Sequence, residues 1–99
     1  MYATVIDASF KPESRDEVIS MMDGLMDDLN SKVEGLRGYF VLDRGDNNST
    51  AVVLYETKEH WDAAASVGTE ILGKLAPYMA AMPERAGCEV LAIKRFATD

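Results

Sequence analysis

Four segments of the sequence have the composition of β-strands, and both alternating faces of these segments carry apolar side chains. They are residues 2–10, 39–42, 50–56 and 88–96. A sheet with one face in water would instead place polar residues at every second position. Both faces of the predicted sheet therefore need a cover, and this requirement restricts the chain more than any other feature of its sequence.

The helix predicted between the first two strands has a recognisable start and stop. Ser14 and Glu17 have the spacing of a capping box, in which each side chain satisfies a backbone amide of the first turn. Apolar residues then recur at three- and four-residue spacing as far as Val33. Gly35 is expected to end the helix, because glycine takes the left-handed C-cap conformation at little cost. The apolar stripe predicts that this helix covers one face of the sheet.

The middle of the chain predicts a hairpin followed by an interrupted helix. Residues 43–49 are rich in turn formers and separate the second and third strands. A helix over residues 57–66 can be capped by its first threonine, Gly68 interrupts it, and a second piece runs over residues 69–79. Pro77 is expected to weaken the last turn.

The order strand–helix–strand–strand–helix–strand predicts an α+β fold with a four-stranded antiparallel sheet and helices on one face. The chain has 99 residues, with no repeat and no long linker, so a single domain over residues 1–99 is expected. A second copy of the same sheet is the simplest cover for the face without helices. The sequence therefore predicts a homodimer that forms through its sheet faces.

The net charge of −7 excludes several classes of partner. Nucleic acid and anionic membranes attract clustered Lys and Arg, which this chain lacks, so neither is expected to bind. The first residues show no signal peptide, and a cytoplasmic protein is expected. Cys88 is the one cysteine, and its place at the head of an apolar strand predicts a buried, reduced thiol. No spacing of acidic residues predicts a metal site.

Three segments carry a resemblance to a known family: residues 35–40 entering the second strand, the hairpin at 43–49, and residues 53–61 leading into the second helix. In these, and in the order of its elements, the chain resembles the dimeric α/β-barrel superfamily, and within it the antibiotic-biosynthesis-monooxygenase-like branch. The resemblance implies a ferredoxin-like βαββ(α)αβ fold and a barrel shared by two protomers. It also implies oxidation of an aromatic substrate without metal or flavin, in a cavity between sheet and helices.

Relatives that degrade haem are a poorer match. They use an asparagine on the first strand and a histidine on the later helix, whereas this chain has Asp7 on the first strand and no histidine over residues 69–82. A haem cofactor is therefore not expected, and no other cofactor signature is present. This absence is compatible with a cofactor-free monooxygenase and equally with a protein that catalyses nothing.

Two residues are candidates for proton transfer. His60 is the one histidine and lies in the first turn of the second helix, where it could act as a general base or simply face solvent. Asp7 occupies a strand, where aspartate is unfavourable, so it is either a catalytic carboxylate or the partner of Lys94 or Arg95 on the last strand.

Candidates for binding an apolar or aromatic molecule are residues with large or flexible apolar side chains: Trp61, Tyr55, Tyr78, Met22 and Met26. The resemblance places Trp61, Tyr55 and Tyr78 in the substrate cavity. Trp61 could stack on a ligand, the tyrosines could donate hydrogen bonds, and thioethers could line an adaptable cavity together with Met21, Met79 and Met82. Ordinary core packing is the alternative for each of them.

Three hypotheses for function remain open at this stage. The first is a homodimer that binds, and oxidises with dioxygen, a small apolar or aromatic molecule. The second is a non-catalytic ligand-binding or stress-related module of the same fold. The third is an amino-acid-sensing regulatory domain, although residues 11–13 lack the glycine that such domains place after the first strand.

Overall fold

The structure is a computed structural model that describes residues 1–81, 83, 85–94 and 96. Its strands and helices follow the order β1 Tyr2–Ser9, α1 Arg15–Lys32, β2 Leu36–Gly45, β3 Asn48–Tyr55, α2 Lys58–Ala63, α3 Ala65–Leu75, a 3-10 turn Ala76–Tyr78, and β4 Ala86–Glu89.

The four strands form one antiparallel sheet in the order β2-β3-β1-β4. Thr4 of β1 pairs with Val53 of β3 on one side and with Gly87 of β4 on the other, and Val53 pairs in turn with Tyr39 of β2. The α+β arrangement predicted from the sequence, with its four-stranded antiparallel sheet, is therefore confirmed.

The helices cover one face of this sheet. Side chains at the even positions of β1 face them, and so do their register partners on β3. Between sheet and helices lies the apolar core, whose buried members are Ala8, Phe10, Val18, Met22, Met26, Leu29, Val53, Tyr55, Ala64, Ile71, Leu75 and Met79. The apolar stripe predicted for the first helix supplies four of them, which explains why α1 packs where it does.

The first helix differs from its prediction at both ends. Ser14 makes no side-chain capping bond, because its backbone is already helical (φ −93°, ψ −15°) and does not direct the hydroxyl at the first amides. The capping box is therefore wrong. At the other end the helix stops at Lys32 with the extended Val33 as its C-cap, so Gly35 is not the cap. Gly35 instead makes the turn into β2 with φ +80°.

The hairpin is tighter than predicted. β2 and β3 extend to Gly45 and Asn48, and only Asp46 and Asn47 remain as the loop. Both loop residues have positive φ, 53° and 64°, which is the conformation of the two-residue turns that suit the twist of a hairpin.

The second helical region breaks at Ala64 and not at Gly68. Ala64 is fully buried and caps both α2 and α3, while Gly68 lies inside α3. The predicted cap at the start of this region is confirmed, since the Thr57 hydroxyl accepts a hydrogen bond of 3.1 Å from the His60 amide. The α-helix ends at Leu75 and continues as the 3-10 turn containing Pro77, as the missing amide of proline requires.

The last strand is shorter and earlier than predicted. It covers Ala86–Glu89, and Val90 donates one further bond to the carbonyl of Met1. Residues 91–94 and 96, which were predicted to extend this strand, are not in the sheet, and Arg95 lies outside the described residues. Cys88 is exposed, contrary to the prediction, because it pairs with Ala3 and so lies on the face without helices.

That helix-free face keeps large apolar side chains in contact with water. Phe40 and Leu42 of β2 remain 46% and 51% exposed.

Among the described residues, no helix is long and apolar enough to cross a membrane.

Candidate functional site

A cavity of about 80 Å³ lies between the sheet and helices α1 and α3. Most of its wall is apolar and comes from β1, β3, α1 and α3. Four of the lining residues have polar side chains, namely Thr4, Ser49, Tyr55 and Arg85. This composition, an apolar wall with a few polar groups, is typical of sites that bind small organic molecules.

Three of the four polar side chains lie at the same end of the cavity. Thr4 and Tyr55 are close to each other because Tyr55 pairs with Tyr2, two residues before Thr4 on β1. Tyr55 is only 2% exposed. Burial raises the pKa of its hydroxyl, and the nearby Arg85 guanidinium offsets part of that rise. A buried phenol therefore faces a permanent positive charge at this end.

Trp61 of α2 holds this polar end together. Its indole N–H donates a hydrogen bond of 2.8 Å to the Thr4 hydroxyl. The Arg85 guanidinium lies 3.8 Å from the centre of the Trp61 ring and donates a bond of 2.7 Å to the Trp61 carbonyl oxygen. The ring of Tyr2 meets the indole edge-on at 5.2 Å. Trp61 thus lies behind the cavity wall and positions two of its polar groups.

The sequence makes room for this indole at one glycine. A Cβ on Gly87 would lie 2.5 Å from Cζ2 of Trp61 and 2.8 Å from the Tyr2 ring, closer than atoms can approach. Gly87 pairs with Thr4 and faces the helices, so any side chain there would displace Trp61 from Thr4.

The fourth polar group, Ser49, lies towards the other end of the sheet. It pairs with Ala8 of β1, six residues along β3 from Tyr55. The side chain is 5% exposed, and its hydroxyl makes no hydrogen bond to any other described residue. Ser49 therefore adds one hydroxyl to the cavity wall at the end opposite Arg85.

Some of the predicted binding residues line the cavity and some do not. Tyr55, Met22 and Met26 are part of its wall, and Trp61 contacts the wall through Thr4 and Arg85. Tyr78 is not among the lining residues. It lies in the 3-10 turn after α3, packs against the core, and accepts a hydrogen bond at its carbonyl from Lys11.

Neither predicted proton-transfer residue lines the cavity. Nδ1 of His60 lies 3.0 Å from the Thr57 hydroxyl, and the ring packs over Gly35, where a Cβ would lie 2.4 Å from it. His60, a residue of α2, therefore packs its ring against the turn between α1 and β2.

Asp7 lies on the helix-free face. It accepts a hydrogen bond of 2.6 Å from Thr50 and forms an ion pair of 3.3 Å with Arg44. The predicted partner of this carboxylate was Lys94 or Arg95 on the last strand. Its partner is instead Arg44 of β2, because Lys94 lies beyond the end of β4.

Sequence reasoning missed Thr4, Ser49 and Arg85. Thr4 shares the alternation of Ile6 and Ala8, so its face could have been assigned once that face was known to be the covered one. Arg85 comes two residues after Pro83, and nothing local in the sequence distinguishes it from the other basic residues. In the described part of the chain, no group of three or more His, Cys, Asp or Glu side chains is arranged to hold a metal ion.

Comparison with known proteins shows the fold. No protein-family model and no curated protein matches the sequence. Among solved structures, a protein of unknown function from Nitrosomonas europaea superposes with a TM-score of 0.75 at 16% identity, covering 98% of this chain and 95% of the other. The two proteins therefore share their fold.

Two further structures carry a description of activity. A second protein from N. europaea, provisionally described as an antibiotic biosynthesis monooxygenase, superposes with a TM-score of 0.72 at 17% identity, covering 93% of this chain and 100% of the other. A variant of SnoaB, a cofactor-independent oxygenase from Streptomyces nogalater, gives a TM-score of 0.73 at 11% identity, covering 93% and 94%. The ferredoxin-like fold predicted from the resemblance is thus confirmed, and at these identities the likeness concerns the fold.

Proposed function

We propose that the protein binds a small apolar or aromatic molecule in the cavity between sheet and helices, and that it binds this molecule as an anion. The observation that supports the proposal is the position of Arg85, whose guanidinium lies at the end of an apolar cavity beside the buried hydroxyl of Tyr55. Of the described carboxylates, none forms an ion pair with Arg85. A negatively charged oxygen on the ligand would be the partner of the Arg85 guanidinium.

Each residue of the proposed site has a definite part in binding. Arg85 supplies charge and up to four further N–H donors, and Tyr55 supplies a hydroxyl. Thr4 accepts from Trp61, so its own hydroxyl hydrogen is free to donate towards the ligand. Met22 and Met26 line the apolar part, where flexible thioethers adapt to the shape of a ligand.

We propose cofactor-independent monooxygenation as the reaction of the bound anion. A ligand with an acidic CH₂ group loses a proton, the resulting carbanion reduces dioxygen, and the sum is one CH₂ and one O₂ converted to one C=O and one H₂O. The description of SnoaB as a cofactor-independent oxygenase supports this chemistry. Neither Asp7 nor His60 lines the cavity, so the ligand would lose its proton to water, with the charge of Arg85 stabilising the anion.

Anthrone and a panel of phenols test both parts of this proposal. We expect calorimetric titration to detect binding, and an oxygen electrode to detect one O₂ consumed for each anthrone oxidised. Arg85→Met should weaken binding about tenfold to a hundredfold, as expected for the loss of a charged hydrogen bond. Arg44→Met, on the opposite face of the sheet, is the matched control and should bind normally. If no member of the panel binds, the proposal is contradicted.

A non-catalytic ligand-binding module of the same fold is the second candidate. It is favoured by one observation, that the described lining residues include no carboxylate and no histidine to act as a base. Binding that depends on Arg85 but consumes no oxygen above the rate without protein would select this function over the oxygenase.

We also propose that the protein is a homodimer formed through the helix-free sheet face. Support comes from Phe40 and Leu42, which are half exposed on that face, and from the extent of the apolar surface that a lone sheet would leave in water. The double variant Phe40→Asp, Leu42→Asp should be monomeric in light scattering while the parent protein is dimeric. Ser20→Asp, on the exposed side of α1, is the control and should leave the dimer intact. A monomeric parent at micromolar concentration would refute this.

A further inference from the structure

Helix α3 contains two glycines, Gly68 and Gly73, although glycine inside a helix is less favourable than alanine. The backbone gives no reason for the first of them. Gly68 has no positive φ, and its N–H donates an ordinary helical hydrogen bond of 2.9 Å to the carbonyl of Ala64. Since the helix is not interrupted at Gly68, the missing side chain needs another explanation.

Close packing does not explain Gly68 either. At Gly87 the rings of Trp61 and Tyr2 leave no room for a Cβ, whereas a Cβ on Gly68 would fit. It would lie 3.8 Å from Nε and 4.0 Å from Cδ of Arg85, which are ordinary contact distances. Apart from its chain neighbours and the backbone of α3, no other described atom would lie within 4 Å. The side chain that glycine lacks would therefore extend beside Arg85 into open space.

This open space belongs to the charged end of the cavity. Gly68 is one of the residues that line the cavity, whereas Gly73 is exposed to solvent and does not line it. The Trp61 ring stacks on the Arg85 guanidinium from α2. Gly68 approaches the same side chain from α3 and leaves room next to the positive charge.

We propose that Gly68 determines which ligands the cavity accepts, because the space beside Arg85 holds a substituent next to the negatively charged oxygen of the ligand. The ligand class is then an aromatic oxygen anion with a substituent at the ortho position. This inference rests on the function proposed above and specifies the shape of the ligand near its charge. When the oxygen is bound to the guanidinium, an ortho group lies close to that charge, and this is where residue 68 has no side chain.

The para-nitrophenolate ion and its ortho-isopropyl derivative test the proposal, at a pH where both are ionised. Absorbance titration should show that the parent protein binds the isopropyl derivative more tightly, since the substituent fills an open space. Gly68→Leu should weaken binding of the isopropyl derivative about tenfold to a hundredfold, as expected for overpacking, and should change binding of para-nitrophenolate less than about twofold. Gly68→Ala should act in the same direction with a smaller loss.

Urea unfolding separates this role from a structural one. Gly68→Ala and Gly73→Ala both replace a helical glycine by a better helix former, so both should raise the urea midpoint. Only Gly68→Ala should change the ratio of the two affinities. Gly73→Ala is the matched control on the same helix, and its ratio should equal that of the parent protein.

The outcomes distinguish this inference from the proposed function. If phenolates bind in a manner that depends on Arg85 but the ratio of the two affinities is the same in the Gly68 variants and the parent, the inference is overturned and the proposed function stands. Equal weakening of both ligands would also overturn it, because the new side chain would then act by displacing Arg85. So would a parent protein that binds the unsubstituted ion more tightly. If neither phenolate binds to the parent, both proposals fail.

Discussion

The guanidinium of Arg85 is stacked 3.8 Å from the centre of the Trp61 ring and is hydrogen-bonded to the carbonyl of the same residue. This double contact joins the segment before β4 to helix α2, and it places a positive charge at the end of the cavity beside Tyr55. Both the shape and the electrostatics of the polar end therefore depend on one pair of residues.

Removing the charge of Arg85 should alter the alkaline stability of the protein. The pKa of Tyr55 in the folded state is raised by burial, so the stability linked to this group is complete below the pKa of the unfolded state, about 10. It is lost as the pH rises through the folded pKa. Arg85 lowers that folded pKa, so in Arg85→Met the loss should begin at the same pH, continue to a higher pH and be larger in total. Urea unfolding over an alkaline pH series measures it, and Tyr55→Phe, which lacks this titration, is the control.

The hydrogen bond from Trp61 to Thr4 should contribute measurably to stability. Thr4→Val removes the acceptor and leaves the indole N–H without a partner at a part-buried site, which should cost about 1–3 kcal/mol in the free energy of unfolding. Thr4→Ser retains the hydroxyl and should restore most of that loss. Equal destabilisation by the two substitutions would show that the methyl group of Thr4, and not the hydrogen bond, is what matters.

Gly87 should not tolerate alanine. The added Cβ would meet the rings of Trp61 and Tyr2, and the overpacking should cost about 1–3 kcal/mol and change the fluorescence of the one tryptophan. Gly24→Ala is the matched control, because Gly24 lies exposed within α1 with no atom near its Cβ position. That substitution should stabilise the protein by about 0.5–1 kcal/mol.

Gly35 and His60 should be energetically coupled. Gly35→Ala suffers both from its positive φ and from contact with the His60 ring, and we expect a loss of about 2–4 kcal/mol. His60→Ala removes the contact but not the backbone strain. A double-mutant cycle followed by urea unfolding should therefore show a coupling of about 1–2 kcal/mol. Additive effects would mean that the ring moves aside without cost.

Much of the fold could be predicted from local pattern. Alternation identified the strands, the apolar stripe oriented α1, and the cap at Thr57 marked the start of α2. The failures were also local. Ser14 has the composition of a cap without the backbone conformation of one, and the apolar run after Val90 has strand composition without a strand beside it.

The candidate site was predictable only where a residue belongs to a regular element. Tyr55, Met22 and Met26 line the cavity because the periodicity of their strand or helix directs them there. Asp7 is at an odd position of β1, so the same alternation directs its side chain to the helix-free face.

The sequence by itself determined the order of the elements and which residues share a face of β1, β3 and α1, because these follow from side-chain spacing of two or about 3.6 residues. Only the tertiary structure decided that Arg85 lies at one end of the cavity, that Thr4 bonds to Trp61 across 57 positions, and that His60 is not among the lining residues. Contacts of this kind depend on the path of the chain between elements, and that path is set by packing of the whole molecule and leaves no periodic signal.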